Sequence, residues 1–278
     1  MNIAEENALD LSKGFIRELE QIESHYWMKY YRGDSVLRTY SAIIAGGMAC
    51  AMPEVDILAM NRVIGVGITT PLDQATLKHI IDFYSNAGSA RFFIQLPPMS
   101  IGEEIKSLLV ENGFVHHNNW SKLQRIVQLP DVQTNPELSI RDINQDESDN
   151  YGQLIFMSFD WEDSRLASWL SSTVGQEGYK HYIVSWNGKD IAAGALFVGG
   201  PMASMAFAGT LAPFRGKGAQ TLLLKTRMQD ALKSGALFIT AETAQHLDFQ
   251  PVNSYLNLRK VGFELAYQRQ NWLFDFNR

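Results

Sequence analysis

A strand-like apolar run, Met202 to Thr210, is followed by the basic, glycine-bearing turn Arg215-Gly216-Lys217-Gly218-Ala219-Gln220 and then by a helix-like run, Thr221 to Lys233. Glycine lets the backbone approach an anion closely and take up positive φ. The first turn of the helix adds unpaired N–H groups and the positive end of the helix dipole. The segment is therefore suited to holding phosphate. The same order of strand, glycine turn and helix also serves as plain punctuation in α/β chains.

Hydrophobic periodicity divides the rest of the chain. Glu5 to Tyr30 reads as a helix, with Leu9, Leu11, Phe15, Ile16, Leu19 and Ile22 apolar and acidic or polar residues between them. Ser41 to Val55 reads as strand with a turn at Gly46-Gly47, and Asn61 to Gly67 as a short β-rich run. A helix starts at Thr70-Pro71, with Thr70 as cap, and runs to about Ser85. Ala90 to Leu96 is strand, Ile101 to Glu111 helix and Val115 to Leu129 a terminal strand or hairpin. Residues 131–137 carry Pro136 after Pro130 and read as a polar linker between domains 1–130 and 138–278. Beyond the linker come a strand (Leu138 to Arg141), helices near Gln145–Ser158 and Ser164–Val174, and strands at His181–Trp186, Ile191–Val198 and Met202–Thr210. The turn and its helix follow, then strand Leu237–Ala241, helix Asn253–Val261 and the last strands, Phe263–Phe276.

The two halves read as a distant duplication. Gly67 lies four residues before Pro71, as Gly209 does before Pro213; Asn112-Gly113-Phe114 echoes Val261-Gly262-Phe263. Pro71 to Gly88 spans 17 residues against 22 from Pro213 to Gly235. The difference is the length of the Phe214–Gly218 insert, so the first half keeps the scaffold and lacks the phosphate turn.

Composition bounds the partners. The 278 residues suffice for two domains, and 46% apolar content supports a sizeable core. A formal charge of −6 argues against a nucleic-acid surface and suits a cationic amine. Cys50 is the only cysteine, which rules out an internal disulfide and a cysteine-based zinc site; no metal is expected. The N-terminus lacks the basic start and apolar run of a signal peptide, and no apolar stretch is long enough to span a bilayer. A cytoplasmic protein without a membrane partner is expected.

Residues from about Leu138 to the C-terminus resemble the GCN5-related N-acetyltransferase (GNAT) family. Arg215 and Gly218 match its phosphate turn, in which Gln or Arg is followed by any two residues, Gly, any residue and Gly or Ala; Gln220 departs from the last position. The segment Asn253 to Phe263, ending in Gly-Phe, resembles the family's second signature, in the same order and at similar spacing. The resemblance implies an α/β (α+β) fold of tandem GNAT-like domains, each a mixed, mostly antiparallel central sheet flanked by helices. It also implies acetyl-CoA as co-substrate, bound by Ala208, Thr210 and Leu211 on a splayed strand, by Arg215, Gly216, Lys217, Gly218, Ala219 and Gln220 at the turn, and by Asn253.

Acetyl transfer to an amine requires a proton acceptor for the ammonium and a proton donor for the leaving thiolate. Glu242 follows its strand where the family often places a carboxylate near the acceptor; it reads equally as a solvated strand-end acid. The family's tyrosine acid stands four residues before the Gly of Gly-Phe, and here that position is Leu258. Tyr255 and Tyr267 are the substitutes, both also ordinary packing aromatics. His181 and His246 are further base candidates. Trp161 with Glu162 or Asp163 lies where the family shapes the acceptor pocket, and suits a cationic amine. The expectation is an N-acetyltransferase acting on a small-molecule or peptide amine by direct attack in a ternary complex, as a monomer or homodimer. The alternatives are another acyl or aminoacyl transferase of duplicated GNAT fold, or a non-catalytic acyl-CoA sensor.

Overall fold

The computed structural model describes residues 13–32 and 36–278. The first half comprises α1 (Lys13–Arg32), β1 (Tyr40–Ile44), β2 (Gly47–Ala51), β3 (Arg62–Ile64), α2 (Gln74–Ala87), β4 (Arg91–Leu96), α3 (Glu103–Glu111) and β5 (Val115–Ile126). The second comprises β6 (Leu138–Asp142), α4 (Ser148–Ser158), α5 (Arg165–Ser171), β7 (Tyr179–Trp186), β8 (Lys189–Gly199), β9 (Met202–Thr210), α6 (Ala219–Lys233), β10 (Phe238–Ala244), α7 (Asn253–Lys260) and β11 (Glu264–Asp275). Leu9 and Leu11 of the expected first helix lie outside the described residues. Helix α2 begins three residues later than its Thr70 signal suggested, because the Asp73 carboxylate accepts the Thr76 N–H at 2.8 Å and makes Asp73 the cap.

The eleven strands of the described residues join one sheet in the order β1-β2-β3-β4-β11-β5-β10-β9-β8-β7-β6. The pairs are antiparallel except β3 with β4 and β9 with β10. The linker at 131–137 therefore divides the sequence but not the sheet. Strand β11, from the second half, pairs with β4, and β5, from the first half, pairs with β10. The halves exchange their last strands, which pair with each other at the centre. That central pair supports the duplication: His117 on β5 and Ala266 on β11 are the bulged residues, and each lies four residues after the Gly of its Gly-Phe.

Side-chain alternation sorts the core into two layers. On one face, α1, α4 and α5 cover both halves: Met48 and Cys50 of β2, Tyr179 and Ile183 of β7, and Ala193 and Ala195 of β8 join one continuous apolar cluster. On the other face each half has its own cluster, under α2 and α3 in the first and under α6 and α7 in the second. Helix α1 thus belongs to both halves. Its Trp27 and Tyr30 pack against Phe207, the Tyr30 main-chain carbonyl accepts the indole N–H of Trp169 at 3.0 Å, and Phe15 meets Phe238 edge-on.

Strand exchange makes the halves interdependent. Residues 138–278 alone would leave β10 without β5 and β11 without either neighbour. Expressed alone, this fragment is expected to be insoluble or to show no cooperative melt by circular dichroism. Co-expression with residues 1–137 should restore a soluble complex; an independently folded fragment would contradict the interdependence.

Candidate functional site

The turn after β9 has the geometry of an anion cradle. Gly216 and Gly218 both have positive φ, at 81° and 93°, and a Cβ at Gly216 would meet no atom within 4 Å. Gly218 caps α6 without a side-chain hydrogen bond, and the backbone N–H groups of residues 218–221 have no acceptor among the described residues. Ala219 is buried. The basic side chains are engaged elsewhere. Arg215 donates to the carbonyls of Thr210 (3.4 Å) and Ser158 (3.1 Å), tying the turn to the ends of β9 and α4. Lys217 lies 3.9 Å over the Trp186 ring, and its carbonyl accepts from Asn135. Gln220, the departure from the family pattern, donates to Thr210 Oγ1 at 2.9 Å and braces the first turn of α6 against β9.

Strands β9 and β10 pair only at Met202–Ser204 with Phe238–Thr240, then diverge. Leu211 N–H donates to Ile191 O on the β8 side, so by antiparallel alternation Ala208 and Thr210 turn their backbone groups toward the gap. A shift in the β8–β9 register leaves Ala195 unpaired, and its carbonyl accepts from the buried Arg227 of α6 at 3.2 Å. On the α1 face, the gap is crossed by Phe207, Trp27, Arg62 and Glu242 in succession.

The structure places the acid–base candidates very differently from one another. Glu242 does not stand as a solvated strand-end acid: Oε1 accepts from Arg62 Nη1 at 2.7 Å and Oε2 accepts from Arg269. Both oxygens are committed to arginines. Tyr267 is buried and donates to Glu20 at 2.5 Å; burial first, then the Glu20 charge, holds its pKa well above the ordinary value. It has neither access nor acidity for protonating a thiolate. His181 is also buried, faces Thr173 Oγ1 at 3.0 Å, and is pushed by burial down to about 3. Tyr255 is half-buried, stacks on His246 with ring centroids 4.9 Å apart, and its hydroxyl has no hydrogen-bond partner among the described residues. His246 Nδ1 accepts from Val252 N–H at 3.0 Å, which puts the proton of the neutral ring on Nε2. Leu258 is a core residue.

Trp161 is half-buried, stacked on Phe159 at 4.7 Å and edge-on to Phe207 at 6.2 Å, so it shares an aromatic shelf with the gap; Glu162 is exposed beside it. Asp163 is paired with Arg165, which also reaches Glu54 of the first half at 2.5 Å and pins this loop. Asn253 opens α7 and is exposed. Trp27, Phe207 and Arg62 had no local signal as site residues, because their meeting depends on α1 crossing from one half to the other.

The equivalent region of the first half is closed. Strands β3 and β4 also pair in parallel, over Arg62–Val63 with Phe93–Ile94, and then part. There a Cβ at Gly67 would lie 3.1 Å from Ser100 Cβ, so the segments that follow the two strands are in contact. The N-terminus of α2 already holds its own anion, the Asp73 carboxylate. Among the described residues, no group of three His, Cys, Asp or Glu side chains is placed for a metal ion, and no helix is long and apolar enough to cross a membrane.

Two halves with parallel strands that splay, helices on both faces and exchanged last strands define the tandem GNAT fold. The chain is similar in structure to a GCN5-related N-acetyltransferase from Kribbella flavida, with TM-score 0.63 and 13% identity over 93% of this chain and 95% of that one. A tandem GNAT protein from the clavulanic acid biosynthesis pathway superposes with TM-score 0.61 and 14% identity, covering 96% of each chain. A GCN5-related N-acetyltransferase from Sphaerobacter thermophilus gives 0.60 and 10%, over 82% and 80%. No family model and no curated protein matches the sequence.

The placement of His181 has a consequence for stability. Its folded pKa, about 3, lies below the ordinary 6.5, so the unfolded chain takes up the proton first and stability is lost as pH falls through this window. At pH 5.5, one unit below the reference value, the cost is about 1.4 kcal/mol. The urea midpoint should therefore fall between pH 7.5 and 5.5 by more in the parent than in His181→Asn; equal falls would contradict a buried neutral imidazole.

Proposed function

We propose that the chain is an acetyl-CoA-dependent N-acetyltransferase whose second half holds the co-substrate and whose acceptor is an amine. The observation that carries this reading is the coincidence of a splayed β9–β10 pair with an uncapped, glycine-opened α6 at its end. A long ligand with amides in its middle and a pyrophosphate at one end fits that combination. The N–H groups of residues 218–221 would hold the pyrophosphate. The backbone of Ala208 and Thr210 would pair with the pantetheine amides, beside Leu211. Arg215 and Gln220 keep the turn in shape, Gly216 leaves room for approach, and Lys217 and Asn253 flank the bound anion.

Acetyl-CoA supplies a thioester carbonyl open to attack by an amine. As the C–N bond forms and the C–S bond breaks, one proton leaves the amine and one reaches the thiolate. With Glu242 held between two arginines, water takes the amine proton. Tyr255 is the hydroxyl free to protonate sulfur, and Trp161 with Glu162 receives the cationic acceptor at the rim. Positioning of the two reactants supplies much of the remaining acceleration. A second reading, an acyl-CoA sensor without turnover, is favoured by Leu258 at the family's tyrosine position together with the engaged Glu242.

Calorimetry with CoA tests the cofactor assignment. One CoA per chain is expected, because Asp73 closes the matching helix of the first half. Gly218→Val, β-branched at a φ of 93°, should weaken binding at least tenfold. In free energy that loss is about 1.4 kcal/mol. Unchanged affinity, or two CoA per chain, would count against the assignment.

Steady-state rates against an amine panel separate enzyme from sensor. Tyr255→Phe keeps the stack on His246 and removes the proton donor, so kcat should fall by roughly 10²-fold with CoA affinity little changed. Saturable CoA binding with no turnover on any amine would favour the sensor.

A further inference from the structure

We propose that the first half of the chain sets the length of the acyl group that the second half accepts, with Trp27 and Phe207 as the end wall of the acyl site. This inference rests on the acetyl-CoA reading above and goes beyond it, by assigning a selectivity function to residues outside the cofactor half.

The gap opens beyond Ser204 on β9 and Thr240 on β10. Phe207 stands three residues past the one and Glu242 two past the other, and N-terminal residues bridge them. The Trp27 and Phe207 ring centroids are 5.4 Å apart at 71°, the Arg62 guanidinium lies 4.5 Å over the Trp27 ring, and Arg62 Nη1 reaches Glu242 at 2.7 Å. This bridge cannot recede. Trp27 is 3% exposed and backed by Tyr31 and Trp169, at 6.1 and 6.2 Å, while Arg62 is fixed by Gln95, Glu23 and Glu242. A well-packed aromatic wall yields poorly to added methylenes, because room for them must come from strained rotamers or backbone shifts.

The chemistry of the wall restricts the acyl group further. Its one cation is already neutralised by two carboxylates, so it offers no counter-charge to a dicarboxylic acyl group. The indole N–H of Trp27 is buried and has no acceptor among the described residues. A carbonyl oxygen in the gap is the kind of group that would take it. The class of substrate that fits is a short, uncharged acyl thioester.

Calorimetry on the full chain with CoA, acetyl-CoA and butyryl-CoA tests the wall. The parent should bind butyryl-CoA more weakly than acetyl-CoA by roughly tenfold, the scale on which apolar pockets read methylenes. In Phe207→Ala, half-buried at the bulge, that ratio should shrink to about threefold or less as the wall opens. Trp27→Phe should shrink it in the same direction with less volume removed from the core. A parent that binds both thioesters equally, or a ratio unmoved in both variants, overturns the proposal while CoA binding itself remains intact. Failure to bind CoA at all overturns the cofactor reading and this proposal with it.

Discussion

Six ionisable side chains meet beneath α1 at the centre of the sheet: Glu20 and Glu23 of the helix, Arg62 of β3, Lys122 of β5, Glu242 of β10 and Arg269 of β11. Five of them are 1% exposed or less. Their charges balance, three against three, and Gln95, Asn271 and Asn118 extend the network at hydrogen-bond distance. Burial pushes the Glu23 carboxyl up, but Arg269, Lys122 and Arg62 together hold it well below the usual carboxylate range. Burial acts against the Arg269 cation as well, and Glu20, Glu23 and Glu242 more than offset it. Such a cluster adds little net stability compared with apolar packing, but loss of one member strands its partners, at roughly 3–5 kcal/mol. It therefore acts as a registry device. The observed placement of α1 over these strands gives each of the six charges an opposite partner, and it joins the halves.

The cluster and the strand exchange depend on each other. Lys122 and Arg269 sit on the two exchanged strands, so Glu23 can pair with both only when β5 and β11 lie side by side. Paired bulges at His117 and Ala266 give the central strands matching twists on either side of the crossing. The duplication thus survives as a pseudo-symmetric pair of strands, while the charges on it have become asymmetric.

Legibility in the sequence followed the range of the interactions. The turn at 215–220, the helix after it, the Gly-Phe endings and the echo between halves rest on neighbouring residues, and each was read near its position. The exchange of β5 and β11 was not legible, because each strand has the same local pattern whichever β-partner it takes. Glu20 and Glu23 looked like the polar side of an amphipathic helix, since the cations of Glu23 lie 39, 99 and 246 residues away and that of Glu20 lies 249 away. The same distance hid the engagement of Glu242, whose strand-end position suggested solvent. Of the two tyrosines, only Tyr255 has its hydroxyl free, a difference in burial that helix and strand patterns do not report.

A comparison between the halves bears most directly on function. Both have a parallel strand pair that parts after two or three residues and a helix that starts close by. In one, a carboxylate from the chain itself satisfies the helix N-terminus and the segments beyond the strands touch; in the other, the helix opens on glycine with its N–H groups unused. One scaffold thus contains a copy whose helix is capped by its own carboxylate and a copy whose helix opens on glycine. What the capped copy brings to the gap is Trp27 of α1 and Arg62 of β3, the latter anchored by Glu23 and Glu242. On the proposed reading, stability and acyl selectivity draw on one element: the helix that locks the halves together also lies across the gap of the half whose helix opens on glycine.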